Sequence, residues 1–500
     1  MNDATLIATL SAPPNGELAS LPPAVRWLEV RADLVGDLDA DGLREHFPSE
    51  SGELIYSLRS RAEGGAFDGS PEERRRRLLA AARCWDVVEL EAERDLEPEL
   101  LAAVPPARRL VSWHGPAAGV DELRRRWERM AAVEARLYRL APAAASPEEA
   151  LTPLLLLSGL GRRDVLAFAT GAAGAWTRVL APRLGAPVVC GRLVADGGGE
   201  PTVAQLVSDY GLPALPPVGD LFGIVGRSTG KSLSPRLHNA AYRALGIEAL
   251  YLPFQTEGFA SFLPGVAAGL DRLGWPLRGL TVTSPYKEEA LALAGEASPL
   301  ARQAGAANTL LRHNGSWRAD TADAEGVVRA LENRRIPVAG LRAAVVGCGG
   351  AGRAAAAGLQ RAGAEVTLVN RGAERGRYAA RLLGLPFVPL AEWSPAGFAL
   401  VVHATPLTTE TPFETGELRQ GTVVVELVYG PTLTPLMAAV RARGGVAING
   451  REVLLVEARR QFQMMTGRSM PAGPARALIG TAEGGERARI PAANDVRSPA

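Results

Sequence analysis

Through the first 215 residues, short apolar runs alternate with arginine-rich amphipathic stretches. The apolar runs have strand length and predict β-strands at residues 6–10, 27–30, 54–58, 86–90, 110–113, 137–140, 165–169 and 187–190. Between them, apolar positions recur at helical spacing, as over residues 71–84 and 120–135. Eight such strands with intervening helices predict a closed (β/α)8 barrel, whose functional face lies at the strand C-termini. The polar residues at those ends are Glu29, Arg31, Arg59, His114, Arg139 and Arg178. Several guanidinium groups and one imidazole on a single face suit a carboxylate-bearing ligand. Each arginine taken alone reads equally as a local helix cap or ion-pair partner.

A proline-rich segment at 212–219 ends this pattern and marks a domain boundary. The run 221–226 is a buried-type strand, followed by Ser232-Leu-Ser234-Pro235. In extended backbone, hydroxyls two apart face the same side. Ser234-Pro235 reads as the N-cap and first residue of a helix over 236–245, where a carboxylate would be welcome. Next come the run 279–287, ending Thr281-Val-Thr283-Ser-Pro-Tyr-Lys287, then Asn308 at the start of a strand, and Asp323 ahead of a helix over 327–333. Residues 340–357 read as strand, glycine turn and helix. Gly347, Gly349 and Gly352 match the G-x-G-x-x-G spacing that lets a backbone approach a pyrophosphate. The following strand, 365–370, ends in Asn370-Arg371 where an NAD site places an acid; Arg371, helped by Arg375, would pair with a 2′-phosphate and favours NADP. Strands at 399–403 and 422–427 and a helix over 454–466 follow, and residues 471–500 lack hydrophobic period and read as a disordered tail.

Composition changes the weight of one residue. Among 55 Lys and Arg, only Lys231 and Lys287 are lysines, so a chain that uses arginine almost everywhere has kept an amine after an apolar strand and a proline. Guanidinium stays protonated near neutrality, whereas an ammonium can be tuned to release its proton. Lys287 is therefore the candidate proton-transfer residue, and Asp323 the candidate carboxylate that would hold and orient its charge. The 47% apolar and 22% charged fractions are those of a soluble globular protein, and 500 residues predict two or three domains. A net charge of +1 offers no field for nucleic acid or an anionic membrane, and the arginine runs at 74–77 and 124–126 sit beside acids as solvated faces. Cys84, Cys190 and Cys348, odd in number and far apart, predict a reducing cytosol with neither disulfide framework nor zinc site. No basic n-region opens the chain, and no run approaches the roughly eighteen apolar residues of a membrane helix.

Residues 1–215 resemble a type I 3-dehydroquinate dehydratase in Leu28-Glu-Val-Arg-Ala-Asp33, Ser57-Leu-Arg-Ser-Arg-Ala-Glu-Gly-Gly65, Val111-Ser-Trp-His114, and Gly171 through Thr177-Arg178. The resemblance implies substrate binding by Glu29, Arg31, Arg59 and Arg178, with His114 as general acid–base. The family's Schiff-base lysine lies in a Val-Lys-Ile-Ala-like strand; the matching stretch here is Tyr138-Arg139-Leu140-Ala141, so an arginine stands at the lysine position. Glu200 likewise stands at a family glutamine.

The chain from about 220 to 470 resembles shikimate dehydrogenase. The motifs occur in order: Ser232-Leu-Ser-Pro, Thr281-Val-Thr-Ser-Pro-Tyr-Lys287, Gly305-Ala-Ala-Asn308-Thr, Asp323, the glycine turn, Asn370-Arg371 and Tyr429-Gly-Pro. By that resemblance Ser232 and Ser234 hold a substrate carboxylate, and Thr283 and Asn308 bind ring hydroxyls. Lys287 and Asp323 form the catalytic pair, and Tyr429 borders the substrate. Thr281 replaces a family asparagine, His403 another, and Glu457 a late substrate-binding glutamine, where an ionised carboxylate would repel. The cofactor would be held by Gly347, Gly349, Gly350, Ala351, Gly352, Asn370, Arg371, Arg375, Thr405, Val428 and Gly450.

The expected architecture is α/β, with the barrel at 1–215, a substrate-binding domain at 220–330, a Rossmann NADP-binding domain at 331–450, a helix at 451–470 packing on the substrate domain, and a tail at 471–500. The expected activity is NADPH-dependent reduction of 3-dehydroshikimate to shikimate in the cytoplasm, without metal, nucleic-acid or membrane partners. The barrel's covalent dehydratase step is one that Arg139 cannot perform. The alternative is a quinate/shikimate dehydrogenase of broader specificity carrying a non-catalytic ligand-binding barrel.

Overall fold

The computed structural model describes residues 4–13, 16–47, 52–195, 199–430, 433–473 and 475, so the tail expected at 471–500 lies almost wholly outside the described residues. The chain divides into two compact units, Met1–Leu277 and Arg278–Ala500.

All eight strands expected in the first unit are present: β1 (Thr5–Leu10), β2 (Val25–Arg31), β3 (Glu53–Ser57), β4 (Val87–Glu91), β5 (Arg109–Gly115), β6 (Leu137–Pro142), β7 (Val165–Ala167) and β8 (Val188–Arg192). They form one parallel sheet in the order β7-β6-β5-β4-β3-β2-β1-β8, a nearly closed barrel with β7 and β8 at the ends of the order. Strands covered on both faces read as continuous apolar runs, and β4 is buried along its whole length, its two glutamates included.

The helix Pro71–Cys84 falls where its periodicity predicts, because Ser70 accepts a hydrogen bond from Glu73 N–H, Pro71 opens the first turn, and Leu78, Ala81 and Ala82 share the buried face. The helix expected over 120–135 instead stops at Ala131. Ala132 and Val133 bond back three residues, to Arg129 and Met130, and that tighter turn redirects the chain into β6.

The first unit continues past the proline-rich segment 212–219 into β9 (Asp220–Gly226), the helix Ser234–Leu245 and β10 (Ala249–Gln255), parallel to β9. Barrel helices pack on this addition. Arg236 pairs with Asp209 at 2.8 Å, Trp176 meets Phe254 edge-on at 5.2 Å, and Gly269 lies so close to Leu151 that a Cβ would sit 2.3 Å from its Cδ1.

In the second unit, β11 (Leu277–Val282) is antiparallel to β13 (Thr309–His313), β13 is antiparallel to β14 (Ser316–Asp320), and β12 (Glu296–Ala297) runs parallel to β14. A second sheet follows, from β15 (Arg342–Val346), β16 (Glu365–Asn370), β17 (Phe387–Pro389), β18 (Leu400–His403), β19 (Val423–Glu426) and β20 (Val446–Ile448). Its order β17-β16-β15-β18-β19-β20 is all parallel and reverses between β15 and β18, the doubly wound switch point beside which such sheets bind ligands. Apolar clusters cover both faces.

Two helices begin earlier than expected. The helix Asp323–Asn333 starts at Asp323 itself, so that carboxylate lies within the first turn and makes no capping bond. The helix Gly450–Thr466 starts four residues before 454, because Asn449 and Glu452 form a reciprocal capping box.

Candidate functional site

The strand order brings all the polar barrel residues singled out from sequence into one cavity of about 510 Å³, lined by Glu29, Arg31, Arg59, His114, Arg139 and Arg178 together with Glu63, Cys190, Arg192 and Glu200. Arg139 is 2% exposed. Its Nη1 donates to Glu29 Oε1 (2.5 Å) and Glu89 Oε1 (3.1 Å), and its Nη2 to Cys190 Sγ (3.6 Å). Burial opposes ionisation of both glutamates, but Arg139 and Arg59, with hydrogen bonds to the carboxylates, together outweigh it, lowering Glu29 and holding Glu89 at about 2. Arg59 stands off at 4.0 and 3.9 Å from the same two carboxylates.

Other mouth arginines are occupied from within the chain. Arg31 makes a bidentate pair with Asp33. Glu200 accepts from Arg178 (2.8 Å) and Arg192 (3.1 Å), and Arg178 above all keeps that carboxyl ionised. His114 donates its backbone N–H to Glu63 Oε2 (2.8 Å), with Nδ1 3.2 Å from the same oxygen. Burial, with Arg59 and Arg139 nearby, pushes the imidazole well below its usual pKa, while burial and Glu91 push Glu63 up to about 8. At neutral pH this is an uncharged imidazole against an uncharged carboxyl.

In the second unit, Lys287 Nζ donates to both oxygens of Asp323, at 2.9 and 2.7 Å. Lys287 opens the helix Lys287–Leu293 and its carbonyl accepts from Ala307 N–H, which ties it to the loop carrying Asn308. Asn308 Oδ1 accepts from Ala322 N–H and Thr309 Oγ1, both at 2.8 Å, leaving the amide donor for a ligand. Glu457 lies over Gly326, where a Cβ would come within 2.7 Å of its Cγ. Thr281 is buried near the end of β11, Thr283 follows that strand, and Tyr429 lies partly buried beyond β19; Pro431 is outside the described residues.

Ser232 and Ser234, in the first unit, are not related by strand alternation as expected. Ser232 N–H closes a turn on Thr229, Leu233 is helical in backbone angles, and Ser234 is already inside the helix, its N–H donating to Ser232 Oγ at 3.2 Å.

The glycine turn behaves as its spacing requires. Gly347 has φ 110°, Gly349 precedes the first residue of the helix Gly350–Arg361, and a Cβ on Gly352 would lie 1.8 Å from the Gly347 carbonyl oxygen. No side chain fits there, so the backbone amides are left bare at a helix N-terminus, the cradle a dinucleotide pyrophosphate needs. A Cβ on Gly350 would sit 3.1 Å from Lys287 Cβ, which puts the lysine against this turn. Ala351 lies in the helix's first turn.

Asn370 faces inward: its Oδ1 accepts from Cys348 N–H and its Nδ2 donates to Gly372 O, so it braces the turn rather than pointing to solvent. Arg371 is exposed and, among the described residues, unpaired. Arg375 is paired with Glu288 at 3.1 Å. Thr405 touches the turn at Gly347, and Val428 and Gly450 meet, the Val428 carbonyl leaving no room for a Cβ on Gly450.

Several partners were missed in sequence. Glu89 and Glu91 sit two apart in an otherwise apolar strand, a period-two signal that marks inward-facing charge. Arg353, fully buried, joins the turn to the Asn308 loop through the carbonyls of Ala304, Gly305 and Cys348. His403 bridges Glu426 (3.1 Å) and Thr405 (2.5 Å), and Glu426 also accepts from Thr434. Only the sheet register, which sets His403 beside Glu426, reveals this relay.

Residues 17–213 match the family model for type I 3-dehydroquinase, and residues 224–310 that for the shikimate dehydrogenase substrate binding domain. The chain is 26% identical over 486 residues to the bifunctional 3-dehydroquinate dehydratase/shikimate dehydrogenase, chloroplastic, of Arabidopsis thaliana, covering 89% of this chain and 79% of that one. It is 34% identical over 264 residues to shikimate dehydrogenase (NADP(+)) of Syntrophobacter fumaroxidans, covering 51% of this chain and 90% of the relative. The corresponding enzyme of Natronomonas pharaonis is 37% identical over 262 residues, covering 51% and 96%.

Proposed function

This chain belongs to the shikimate dehydrogenase family, with a type I 3-dehydroquinase-like barrel ahead of the dehydrogenase, and on that premise we propose the residues that carry its reaction, the reduction of 3-dehydroshikimate to shikimate with NADPH. The observation that carries the assignment is the Lys287–Asp323 pair, bidentate at 2.9 and 2.7 Å and set against the glycine turn. NADPH, when bound, supplies the hydride to the ketone carbon. The Lys287 ammonium gives its proton to the oxygen as charge develops there, and Asp323 holds that ammonium in place. Asn308, through its free amide donor, and Thr283 orient ring hydroxyls. Arg371, exposed past β16, is the candidate for the 2′-phosphate. Arg375 serves there only by leaving Glu288.

The domain scheme we favour is a barrel over 1–215, a substrate domain over 220–330, a cofactor domain over 331–450 and a returning helix over 451–470. The barrel in this reading forms no imine. Arg139 remains a guanidinium, clamped between Glu29 and Glu89 and further from deprotonation than usual, because those two carboxylates outweigh the cost of burial. Among the described residues no helix is long and apolar enough to cross a membrane; a cytoplasmic location is our proposal, resting on three scattered thiols.

The test is turnover of NADPH with 3-dehydroshikimate and, in reverse, of NADP with shikimate and with quinate. Shikimate is expected to be much the better substrate. Comparable turnover of quinate would favour the broader dehydrogenase, and no turnover of either would refute the assignment.

A further inference from the structure

Lys287 and Asp323 do not stand alone. The helix Gly450–Thr466 packs along the helix Asp323–Asn333, and the contact is made close by Gly326, one turn beyond Asp323 on the same face. A Cβ at 326 would come within 2.7 Å of Glu457 Cγ and 2.9 Å of its Oε1, so the missing side chain is what lets the Glu457 carboxyl lie beside Asp323. One turn further along its helix, Gln461 Nε2 donates to Asn308 O (3.3 Å) and Thr309 Oγ1 (3.2 Å). The face that carries Glu457 is thereby fastened to the same loop that presents the Asn308 amide. Both oxygens of Asp323 are committed to Lys287, whereas the Glu457 carboxyl has no hydrogen bond or ion pair to any described residue.

Glu457 stands where the resemblance puts a substrate-binding glutamine, and we propose that it works there as a neutral carboxylic acid, donating its O–H to a hydroxyl or carbonyl oxygen of the cyclic polyol beside the Lys287–Asp323 pair. This rests on the dehydrogenase reading above and adds a donor to it. Two carboxylates and one ammonium in a partly buried site would leave an uncompensated negative charge, and protonation of the carboxyl without a cationic partner removes it. Burial and Asp323, against the weaker pull of Lys287, push Glu457 up to about 8.

Other ionisable groups on the elements packed around it are engaged elsewhere. Glu325 pairs with Arg460 and Arg329, Glu452 with Arg334, and Glu426 on β19 with His403 and Thr434. A neutral acid presents one donor and one acceptor, as a side-chain amide does, so the site tolerates a substrate carboxylate that an ionised Glu457 would repel.

The experiment compares wild type with Glu457→Gln, measuring KM for shikimate and kcat at saturating NADP between about pH 6 and 10. Well above its titration the donor is lost tenfold per pH unit, so wild-type KM is expected to rise about fivefold between pH 8 and 9 and about tenfold between pH 9 and 10. The Gln variant should show a KM that stays flat over the same range, because an amide donor does not titrate. Superimposable KM profiles would overturn the proposal, as would a wild-type KM that falls with pH.

Infrared difference spectra between the two proteins give a readout that needs no turnover. A protonated-carboxyl band present at pH 7 in wild type, absent from Glu457→Gln, about half lost near pH 8 and nearly gone by about pH 9, is expected. If that band appears while shikimate is not turned over, the substrate assignment fails and the neutral acid stands; if it is missing while shikimate is turned over, the neutral acid fails.

Discussion

Replacing Arg139 by methionine removes the charge of the barrel's central cation while keeping much of its volume. In the wild-type protein three nearly inaccessible side chains, Arg139, Glu29 and Glu89, share their charge at 2.5 and 3.1 Å. Without the guanidinium, two carboxylates face each other with only Arg59, some 4.0 and 3.9 Å away, to compensate. Breaking a buried ion pair on one side typically costs about 3–5 kcal/mol, since the remaining charge is left desolvated. At roughly 2–4 °C per kcal/mol for a unit of this size, the transition of the first unit should fall by about 6–20 °C at neutral pH.

The pH dependence fixes the cause. Glu89 titrates at about 2 in the folded wild type, below its unfolded value, so its contribution is complete above the unfolded pKa and is lost only as the pH falls toward 2. In the variant the carboxyls are pushed the other way, and their penalty fades as they protonate. The gap between wild type and Arg139→Met should therefore be widest near pH 7 to 8 and shrink by pH 5. Scanning calorimetry of the full chain at several pH values decides it. A deficit below about 1 kcal/mol at neutral pH, or one that grows on acidification, would refute the clamp as described.

Lys287→Ala should lower kcat for 3-dehydroshikimate reduction by roughly two to four orders of magnitude with NADPH binding retained, and near-normal turnover at saturating substrate would remove Lys287 from the proton path. Arg371→Ala should weaken NADPH and leave NADH almost unchanged, because only the former carries the 2′-phosphate; equal losses in KM for both would point to misfolding instead. Borohydride treatment with dehydroquinate should leave no adduct on residues 1–215 by mass spectrometry, while Arg139→Lys, which restores an amine, should form one. A reduced adduct on the wild-type barrel would return it to the imine-forming enzymes.

Much of this protein can be read from order along the chain. Parallel strands buried on both faces must be apolar throughout, so the eight barrel strands announce themselves as runs in the sequence, and the glycine turn does so because Gly352 admits no side chain. Local capping chemistry sets the start of the last helix at Gly450, through Asn449 and Glu452, whereas the helix at Asp323 starts without a capping bond, packed along that last helix.

What sequence alone left undecided was charge. Whether Arg139, Arg178 or Glu457 is paired depends on which strands and helices become neighbours, and those neighbours lie far along the chain: Arg139 is 110 residues from Glu29. Resemblance suggested that Glu457 would repel an anionic substrate. Its place against Gly326 and beside Asp323 instead raises its pKa, because desolvation and a like charge both favour the neutral acid. The chain's composition determined which groups were present, and only the fold determined which of them carry charge.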